Sequence, residues 1–258
     1  MRFFDANCFL GRPLTPTLRS FVTSAELLAE MDDIGIEKAV VCHVEAQSPG
    51  PAGNRRLMND IRNHKRLLPC WIVHPQFFNT PRDVKECLAE LRGEGIRMVR
   101  VQPGPFNRFS LHPWAMREFL DGLTQAGIVL YVDLLVQPGG LSHAAMPEYE
   151  WPILHALAEQ RPKLNIILFG RKLSVARMQT LGLLRSCKNV LLDISAFQTW
   201  RATEIICENG GANQLVFGGS MPFFDAAQFV TQVQLATIKE KDKQKIAFGN
   251  LAAKLGVN

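Results

Sequence analysis

Polar side chains end several short apolar runs of the chain, and their types could bind and polarise a small anionic molecule. Arg100 and Gln102 alternate with valines in MVRVQPG, and Asp133 ends the core of IVLYVDLL. If the valines face outward, alternation places Arg100 on the inner face, where an unpaired charge is costly. Arg100 therefore needs an anion. Internal Asp133 or Asp193 could supply it, as could a substrate carboxylate held by two hydrogen bonds, or both together.

Three of these run ends carry groups that could move protons. A carboxylate at Asp133 could act as general base for water or a carbon acid, and a structural salt bridge to Arg100 is compatible with that role. His43 and His74 end the second and third runs, where imidazole could act as a base or donate a hydrogen bond to substrate. The alternative is that each histidine only caps local backbone. General site logic favours a functional role more for His74 than for His43.

Eight apolar or β-branched runs must position these groups, each followed by a turn signal and then, in most cases, by a segment of helical periodicity. This order is the pattern of repeated βα units. Eight units in about 250 residues predict a single (β/α)₈ TIM barrel over residues 1–258, with a C-terminal helical tail. Catalytic groups of such barrels lie at the carboxyl ends of the strands. The runs begin near residues 2, 38, 67, 98, 128, 165, 189 and 214.

Helix signals support the alternation. TSAELLAEMDDIG opens with the capping box Thr23-x-x-Glu26, and TPRDVKECLAELRGEG places Pro81 in its first turn after Thr80. The other predicted helices are WAMREFLDGLTQAG, WPILHALAEQ, VARMQTLGLLRS, RATEIICENGG and AAQFVTQVQLAT. The loop VQPGPFNRFSLHPW after the fourth run is long and aromatic, which predicts a lid or a substrate wall.

Composition excludes several classes of function. The net charge is +5, but basic and acidic residues alternate, which argues against nucleic-acid binding and allows a small anionic substrate. Six cysteines are scattered singly, which favours a reducing, cytoplasmic setting. No apolar run reaches about 18 residues and no signal-peptide pattern is present, so no membrane role is expected. Homodimerisation through the outer helices is compatible with a barrel of this size.

The chain resembles the amidohydrolase superfamily, specifically its amidohydrolase-related (amidohydrolase-2) branch, over nearly its whole length. FFDANCFLG has the frame of that family's first strand, Asp-x-His-x-His-x-Gly, without either histidine. The further matching pieces, in the family's order, are LLAEMDDIGIEKAVVCH, GNRRLMNDIRNHKRLLPCWIVHP, LVFGGSMPF and KIAFGNLAAKLG.

The resemblance also implies where a divalent ion would be bound in metal-dependent members. Two histidines of strand one, one each from strands five and six, and an aspartate of strand eight hold the ion there. In this chain those positions are Asn7, Phe9, Asp133, Gly170 and Ser220. A slip of one residue would replace Gly170 by Arg171, which is no better as a zinc ligand. Only Asp133 is a firm ligand, so we expect neither a metal at this place nor any other cofactor.

Two functions follow from this reading. The first is a metal-independent, lactonase-like hydrolase of a small carboxylated molecule, since some members of the branch are similarly metal-free. Its expected catalytic residues are Asp133, His74 and Asn7, with Asn7 donating to the developing oxyanion. Its expected substrate-binding residues are Arg100, Arg171, Gln102, His43, Asp193 and Ser220. The second is a catalytically inactive barrel that binds a ligand or serves as a scaffold, because serine replaces the aspartate of strand eight.

Overall fold

Eight parallel strands form one sheet in sequence order, from β1 to β8. The structure, a computed structural model, describes residues 1–13, 17, 19–74, 78–103, 110–134, 150–170, 173–174 and 176–257. All eight strands lie where the apolar runs predict them. They are β1 Phe3–Leu10, β2 Ile36–His43, β3 Leu67–Val73, β4 Met98–Val101, β5 Val129–Asp133, β6 Ile166–Phe169, β7 Val190–Asp193 and β8 Leu215–Val216.

The sheet closes into a barrel where β1 meets the chain that leaves β8. The backbone N–H of Ala6 donates to the carbonyl of Phe217 at 2.9 Å, and that of Phe9 donates to the carbonyl of Met221 at 2.8 Å. A side chain of β1 supplies a third link, because Asp5 Oδ1 accepts from the backbone N–H of Gly219 at 2.8 Å. The predicted TIM-barrel fold is therefore confirmed, with a two-residue β8 completed by these bonds.

Ten α-helices are described, most of them between consecutive strands. Both predicted capping boxes are present, at Thr23 with Glu26 and at Thr80 with Asp83. Helix α2 follows the second strand and is not among the helices predicted from periodicity. The helices are α1 Ser24–Ile34, α2 Ala52–Ile61, α3 Pro81–Gly93, α4 Arg117–Ala126, α5 Glu150–Gln160, α6 Arg177–Ser186, α7 Ala202–Asn209, α8 Ala226–Leu235, α9 Glu240–Gln244 and α10 Asn250–Leu255.

The predicted C-terminal helical tail is confirmed by α9 and α10, which a π-helical turn over Lys245–Gly249 joins. The tail is tied to the base of the barrel by Asn250. Its side-chain amide donates to the carbonyls of Ala212 and Leu215, at 2.7 Å each. The tail thus supports the segment that leads into β8.

The sheet register brings the polar inner residues of neighbouring strands side by side. Arg100 of β4 is paired with Ile72 of β3 and with Tyr131 of β5, and Asp133 of β5 with Phe169 of β6. Partners in a parallel ladder point to the same face, so these side chains enter the barrel together. Strand alternation therefore places the guanidinium and the carboxylate in the same upper part of the lumen.

Candidate functional site

Arg100 lies at the centre of a buried polar cluster inside the barrel. Its Nε and Nη2 both donate to Asp133 Oδ2, at 2.9 and 2.7 Å. The amide of Gln102 donates to the same oxygen at 3.3 Å. Arg100 is only 2% exposed and Asp133 only 4%, so this is a buried ion pair. Of the two partners that the sequence offered Arg100, the internal carboxylate is present.

Aromatic rings surround the guanidinium. Its central carbon is 4.6 Å from the ring centroids of both Phe9 and Tyr131, and 5.7 Å from that of Phe169. Burial is the largest single influence and lowers the pKa of Arg100. Asp133, Tyr131, Cys42 and Cys70 together raise it by more, so the net pKa is above its ordinary value. The side chain is therefore a permanently charged, fixed cation.

Asn7 connects this ion pair to the opposite side of the lumen. Its Oδ1 accepts from Arg100 Nη1 at 2.9 Å, and its Nδ2 donates to Ser220 Oγ at 2.8 Å. Because a guanidinium can only donate, the contact with Arg100 fixes which end of the amide faces Ser220. Asn7 is thus held in one orientation by a charged neighbour.

From Ser220 the hydrogen bonds continue to the carboxylate of β7. The Oγ atoms of Ser220 and Ser195 are 2.9 Å apart, and Ser195 Oγ donates to Asp193 Oδ1 at 2.6 Å. Asp193 Oδ2 accepts from the hydroxyl of Tyr131 at 2.7 Å. Burial raises the pKa of Asp193, and the hydrogen bonds from Ser195 and Tyr131 lower it by less, so the net shift is upward.

Gly218 makes room for this carboxylate. A Cβ atom at position 218 would lie 2.1 Å from both carboxylate oxygens of Asp193, which is far inside van der Waals contact. Any side chain here would force Asp193 out of its hydrogen bonds. A glycine at position 218 is therefore required for Asp193 to adopt its position in the site.

A second buried carboxyl lies on the same strand as Asn7. Asp5 Oδ1 accepts from the backbone N–H groups of Asn7 and Gly219, at 2.8 Å each, whereas Oδ2 has no hydrogen-bond partner among the described residues. Burial raises the pKa of Asp5 to about 8. Asp5 is therefore mostly protonated at neutral pH, which limits the negative charge of the cluster.

The two predicted histidines are buried but are not hydrogen-bonded to this cluster within the described residues. His74 Nε2 lies 2.7 Å from the carbonyl oxygen of Ala46 and must donate to it. His43 Nδ1 accepts from the backbone N–H of Glu45 at 3.2 Å, and its Nε2 lies 3.8 Å from Asp60 Oδ2. Burial lowers the pKa of His43. Both rings thus hold the turn Val44–Gln47, as the capping alternative proposed, and their catalytic roles stay predictions.

The structure brings together most of the residues that the sequence singled out. The cluster contains Asn7, Arg100, Gln102, Asp133, Asp193 and Ser220. Arg171 and residues 104–109 of the predicted lid lie outside the described residues. Tyr131 was missed, although its position two before Asp133 on one strand places both on the same inner face.

Two of the six cysteines, which the sequence analysis did not place at the site, lie close to Arg100. Burial raises the pKa of the Cys42 thiol, but Cys70 and the Arg100 guanidinium lower it by more, so the net pKa is below its ordinary value. Cys42 is paired in register with Phe9, whose ring covers the guanidinium. The pairing of Cys42 with Phe9 on neighbouring strands could have indicated that the thiol faces the lumen.

The residues at the metal positions implied by the resemblance do not fit a divalent ion. Phe9 offers no ligand atom, and a Cβ atom at Gly170 would lie 2.9 Å from Leu134 Cβ, so no side chain fits there. Asn7 and Asp133 are bound instead to the guanidinium of Arg100. No group of three or more histidine, cysteine, aspartate or glutamate side chains suited to a metal occurs in the described part of the chain.

Comparison with solved structures finds the same fold in proteins of low sequence identity. The 2,6-dihydroxybenzoate decarboxylase from Rhizobium has a TM-score of 0.73 and 15% identity, with 98% of each chain covered. A probable 2-pyrone-4,6-dicarboxylic acid hydrolase from Acinetobacter baumannii, with citric acid bound, has a TM-score of 0.69 and 14% identity, covering 99% of this chain and all of the other. A Staphylococcus aureus protein provisionally assigned as an amidohydrolase has a TM-score of 0.72 and 12% identity over the whole of both chains.

These likenesses establish the fold, in agreement with the resemblance seen in the sequence. No protein-family model and no curated protein matches the chain. None of the helices in the described residues is long and apolar enough to cross a membrane.

Proposed function

We propose that this protein is a metal-independent hydrolase that opens a lactone-like ester of a small carboxylated molecule. The observation that carries the proposal is the fixed cation at Arg100, joined through Asn7 to a hydrogen-bonded chain that ends at a buried carboxylate. Such an arrangement can stabilise negative charge at one point and accept a proton at another, which are the two needs of ester hydrolysis.

Arg100 supplies the positive charge of the reaction. Three of the five N–H groups of its guanidinium are bound to Asp133 and Asn7, and we propose that a substrate oxygen accepts from the remaining edge of the guanidinium. Because the ion pair holds the guanidinium in place, little reorganisation is needed as charge develops on the substrate. Asp133 orients Arg100 and transfers a proton. His74 is proposed to assist in the proton transfer through Nδ1, because its Nε2 donates to the carbonyl of Ala46.

A carboxylated substrate is compatible with the charge of the site. Because Asp5 is mostly protonated, the positive charge of Arg100 is opposed by fewer negative charges than the three buried carboxyl groups of Asp5, Asp133 and Asp193 would give if all were ionised. Arg171 is proposed as a second anchor for a substrate carboxylate. The likeness to proteins named for 2,6-dihydroxybenzoate and 2-pyrone-4,6-dicarboxylic acid supports small acids as the class to test first.

The test is a hydrolysis assay over a panel of lactones and esters of small mono- and dicarboxylic acids, with and without a chelator. We expect turnover that the chelator does not change, and a loss of about 10²- to 10⁴-fold in kcat for Asp133→Asn. Asp33→Asn, an exposed carboxylate of α1, is the matched control. Full turnover by Asp133→Asn would remove Asp133 from the mechanism.

A second candidate is a catalytically inactive barrel that binds a ligand or serves as a scaffold. The observation that favours it is that Asn7, Ser220, Ser195 and Asp193 satisfy one another, so the chain of hydrogen bonds is complete without a substrate. Calorimetric binding of a carboxylate from the panel, without turnover of any member, would favour this alternative over the hydrolase.

A further inference from the structure

Ser220 occupies an unusual backbone conformation at the carboxyl end of the barrel. It has a φ of 52°, in the left-handed region that residues with a side chain seldom adopt. The residue lies between β8 and α8, at a turn from a parallel strand into a helix. Strained residues of this kind persist where the surrounding structure holds them, and they cluster at functional sites.

The hydrogen bonds of Ser220 have a defined direction. Ser195 gives its single hydroxyl proton to Asp193 at 2.6 Å, so Ser220 must be the donor in its own 2.9 Å bond to Ser195. Asn7 Nδ2 donates to the Ser220 oxygen at 2.8 Å. The proton of Ser220 therefore faces a relay that ends on a carboxylate, and its oxygen faces a donor that stabilises it when the proton leaves.

Asp193 is suited to end this relay. It is fully buried, and two donors, Ser195 and Tyr131, hold its oxygens in place. Because burial raises its pKa, the carboxylate binds a proton more readily than an exposed aspartate does.

We infer that Ser220 is a nucleophile for acyl transfer, with Ser195 and Asp193 as the relay that takes its proton. This inference deepens the proposed function and rests on it for the substrate. Nucleophile, base and a group that orients them within hydrogen-bond reach form the arrangement that activates a hydroxyl.

The reaction balances without any further reagent. As Ser220 Oγ bonds to the ester carbon, its proton moves to Ser195, whose own proton moves to Asp193. The carbon–oxygen bond to the leaving alcohol breaks, and the alkoxide takes the proton back through the same relay. Water then attacks the acyl carbon, gives a proton to the relay and releases the acid, and Ser220 regains its proton. Arg100 stabilises the carbonyl oxygen in both steps.

The inference is tested by labelling the full-length protein with a fluorophosphonate and locating the adduct by mass spectrometry. We expect one adduct, on Ser220, none in Ser220→Ala, and a loss of lactone hydrolysis of at least about 10³-fold in that variant. Ser220→Gly is the second variant, since glycine accepts the positive φ and keeps the backbone in place. The exposed Ser186→Ala is the control, with labelling unchanged.

The pH profile tests the relay separately. In the wild-type protein the labelling rate should rise as Asp193 loses its proton, and this rise should be absent in Asp193→Asn. Ser195→Ala should label about 10- to 100-fold more slowly while Ser220 stays in place. A merely structural role for Asp193 would lower the rate without changing the shape of the profile, and would remove Asp193 from the relay.

Two outcomes separate this inference from the proposed function. Lactone hydrolysis at the wild-type rate by a folded Ser220→Gly variant would overturn the nucleophile and leave the hydrolase standing. Labelling of Ser220 together with no turnover of any lactone or ester would support the nucleophile and overturn the lactone hydrolase. Labelling at a residue other than Ser220, or equal labelling of Ser220→Ala, contradicts the inference directly.

Discussion

At the scale of single residues, Arg100 and Asp133 each compensate the other's buried charge. Both lie below about a twentieth of their full exposure, and Arg100 is also enclosed by aromatic rings. A buried ion pair gives little net stability compared with apolar packing, but removing only one partner leaves an unpaired charge in a medium of low dielectric. The pair is therefore a sensitive point of the fold as well as of the site.

Arg100→Met should lower the free energy of unfolding by about 3–5 kcal/mol, because Asp133 then lacks its counter-ion. The double variant Arg100→Met/Asp133→Asn should recover much of that loss, and urea unfolding measures both. Arg82→Met is the control, since both Arg82 and its partner Glu86 are exposed, and it should unfold as the wild type does. Equal stability of the single and double variants would contradict an ion pair that compensates charge.

Asp5 should make the protein less stable as pH rises. Its pKa is about 8 in the folded chain, against an ordinary value of 3.8 when the side chain is exposed, as in the unfolded chain. The folded state therefore binds more protons than the unfolded state at pH values between these two. The free energy of unfolding then falls as pH increases through that window. Asp5→Asn should shrink the loss between pH 5 and pH 8, measured by urea unfolding, whereas the exposed Asp33→Asn should keep it. An unchanged pH dependence in Asp5→Asn would show that Asp5 titrates normally.

The sequence was more informative about which residues belong to the cluster than about the hydrogen bonds that they form in it. Alternation predicted that Arg100 and Gln102 share an inner face, and Asp133 was identified as the end of its run. Asn7 and Ser220 were identified from the family resemblance. The direction of the hydrogen bonds from Ser220 to Asp193 could not be predicted, because it depends on side chains from three different strands. The positive φ of Ser220 could not be predicted either, because serine rarely adopts this conformation and its presence in the sequence does not indicate it.

At the scale of elements, the second and third strands separate before they end. Their ladder stops at Val41 and Pro69, and the backbone of Ile72 is bound instead by the side chain of Asn54. The amide nitrogen of Asn54 donates to the Ile72 carbonyl at 2.9 Å, and its oxygen accepts from the Ile72 N–H at 3.1 Å. Asn54 on α2 thus replaces a neighbouring strand for one residue.

Asn54→Ala should lower the free energy of unfolding by about 2–5 kcal/mol, because it leaves a buried N–H and a buried carbonyl of β3 without partners. Ile72 is the register partner of Arg100, so the proposed hydrolysis should fall as well. Asn59→Ala, an exposed asparagine of the same helix, is the control for a change in helix propensity. A loss no greater than that of Asn59→Ala would show that water replaces both bonds.

The strands were predicted closely because buried parallel strands are continuous β-branched and apolar runs. The helix α2 was not predicted from periodicity, since two of its buried positions are Gly53 and Asn54 rather than large apolar residues. A Cβ atom at Gly53 would lie 2.2 Å from the backbone nitrogen of Ala46, so close packing requires a residue that weakens the helical signal.

At the scale of the whole molecule, the fold does not decide the chemistry. Proteins named as a decarboxylase and as a hydrolase share this barrel with the chain at 12–15% identity. Catalytic groups of a TIM barrel are exchanged at the strand ends while the strands keep their packing. What distinguishes this chain is the set of side chains at the strand ends, which form a network around the guanidinium of Arg100.

This view predicts that the purified protein contains no stoichiometric divalent ion and does not need one. Arg100 binds Asn7 and Asp133, two of the side chains at the positions the resemblance gives to metal ligands, and Phe9 and Gly170 supply no ligand atom. Elemental analysis of protein prepared without a metal-binding tag should find well below one ion per chain, and a chelator should leave the unfolding temperature unchanged. Asp133→Ala serves as the comparison. A near-stoichiometric ion in the wild type that is lost in Asp133→Ala would show a metallohydrolase with displaced ligands, and the guanidinium would then be its neighbour rather than its replacement.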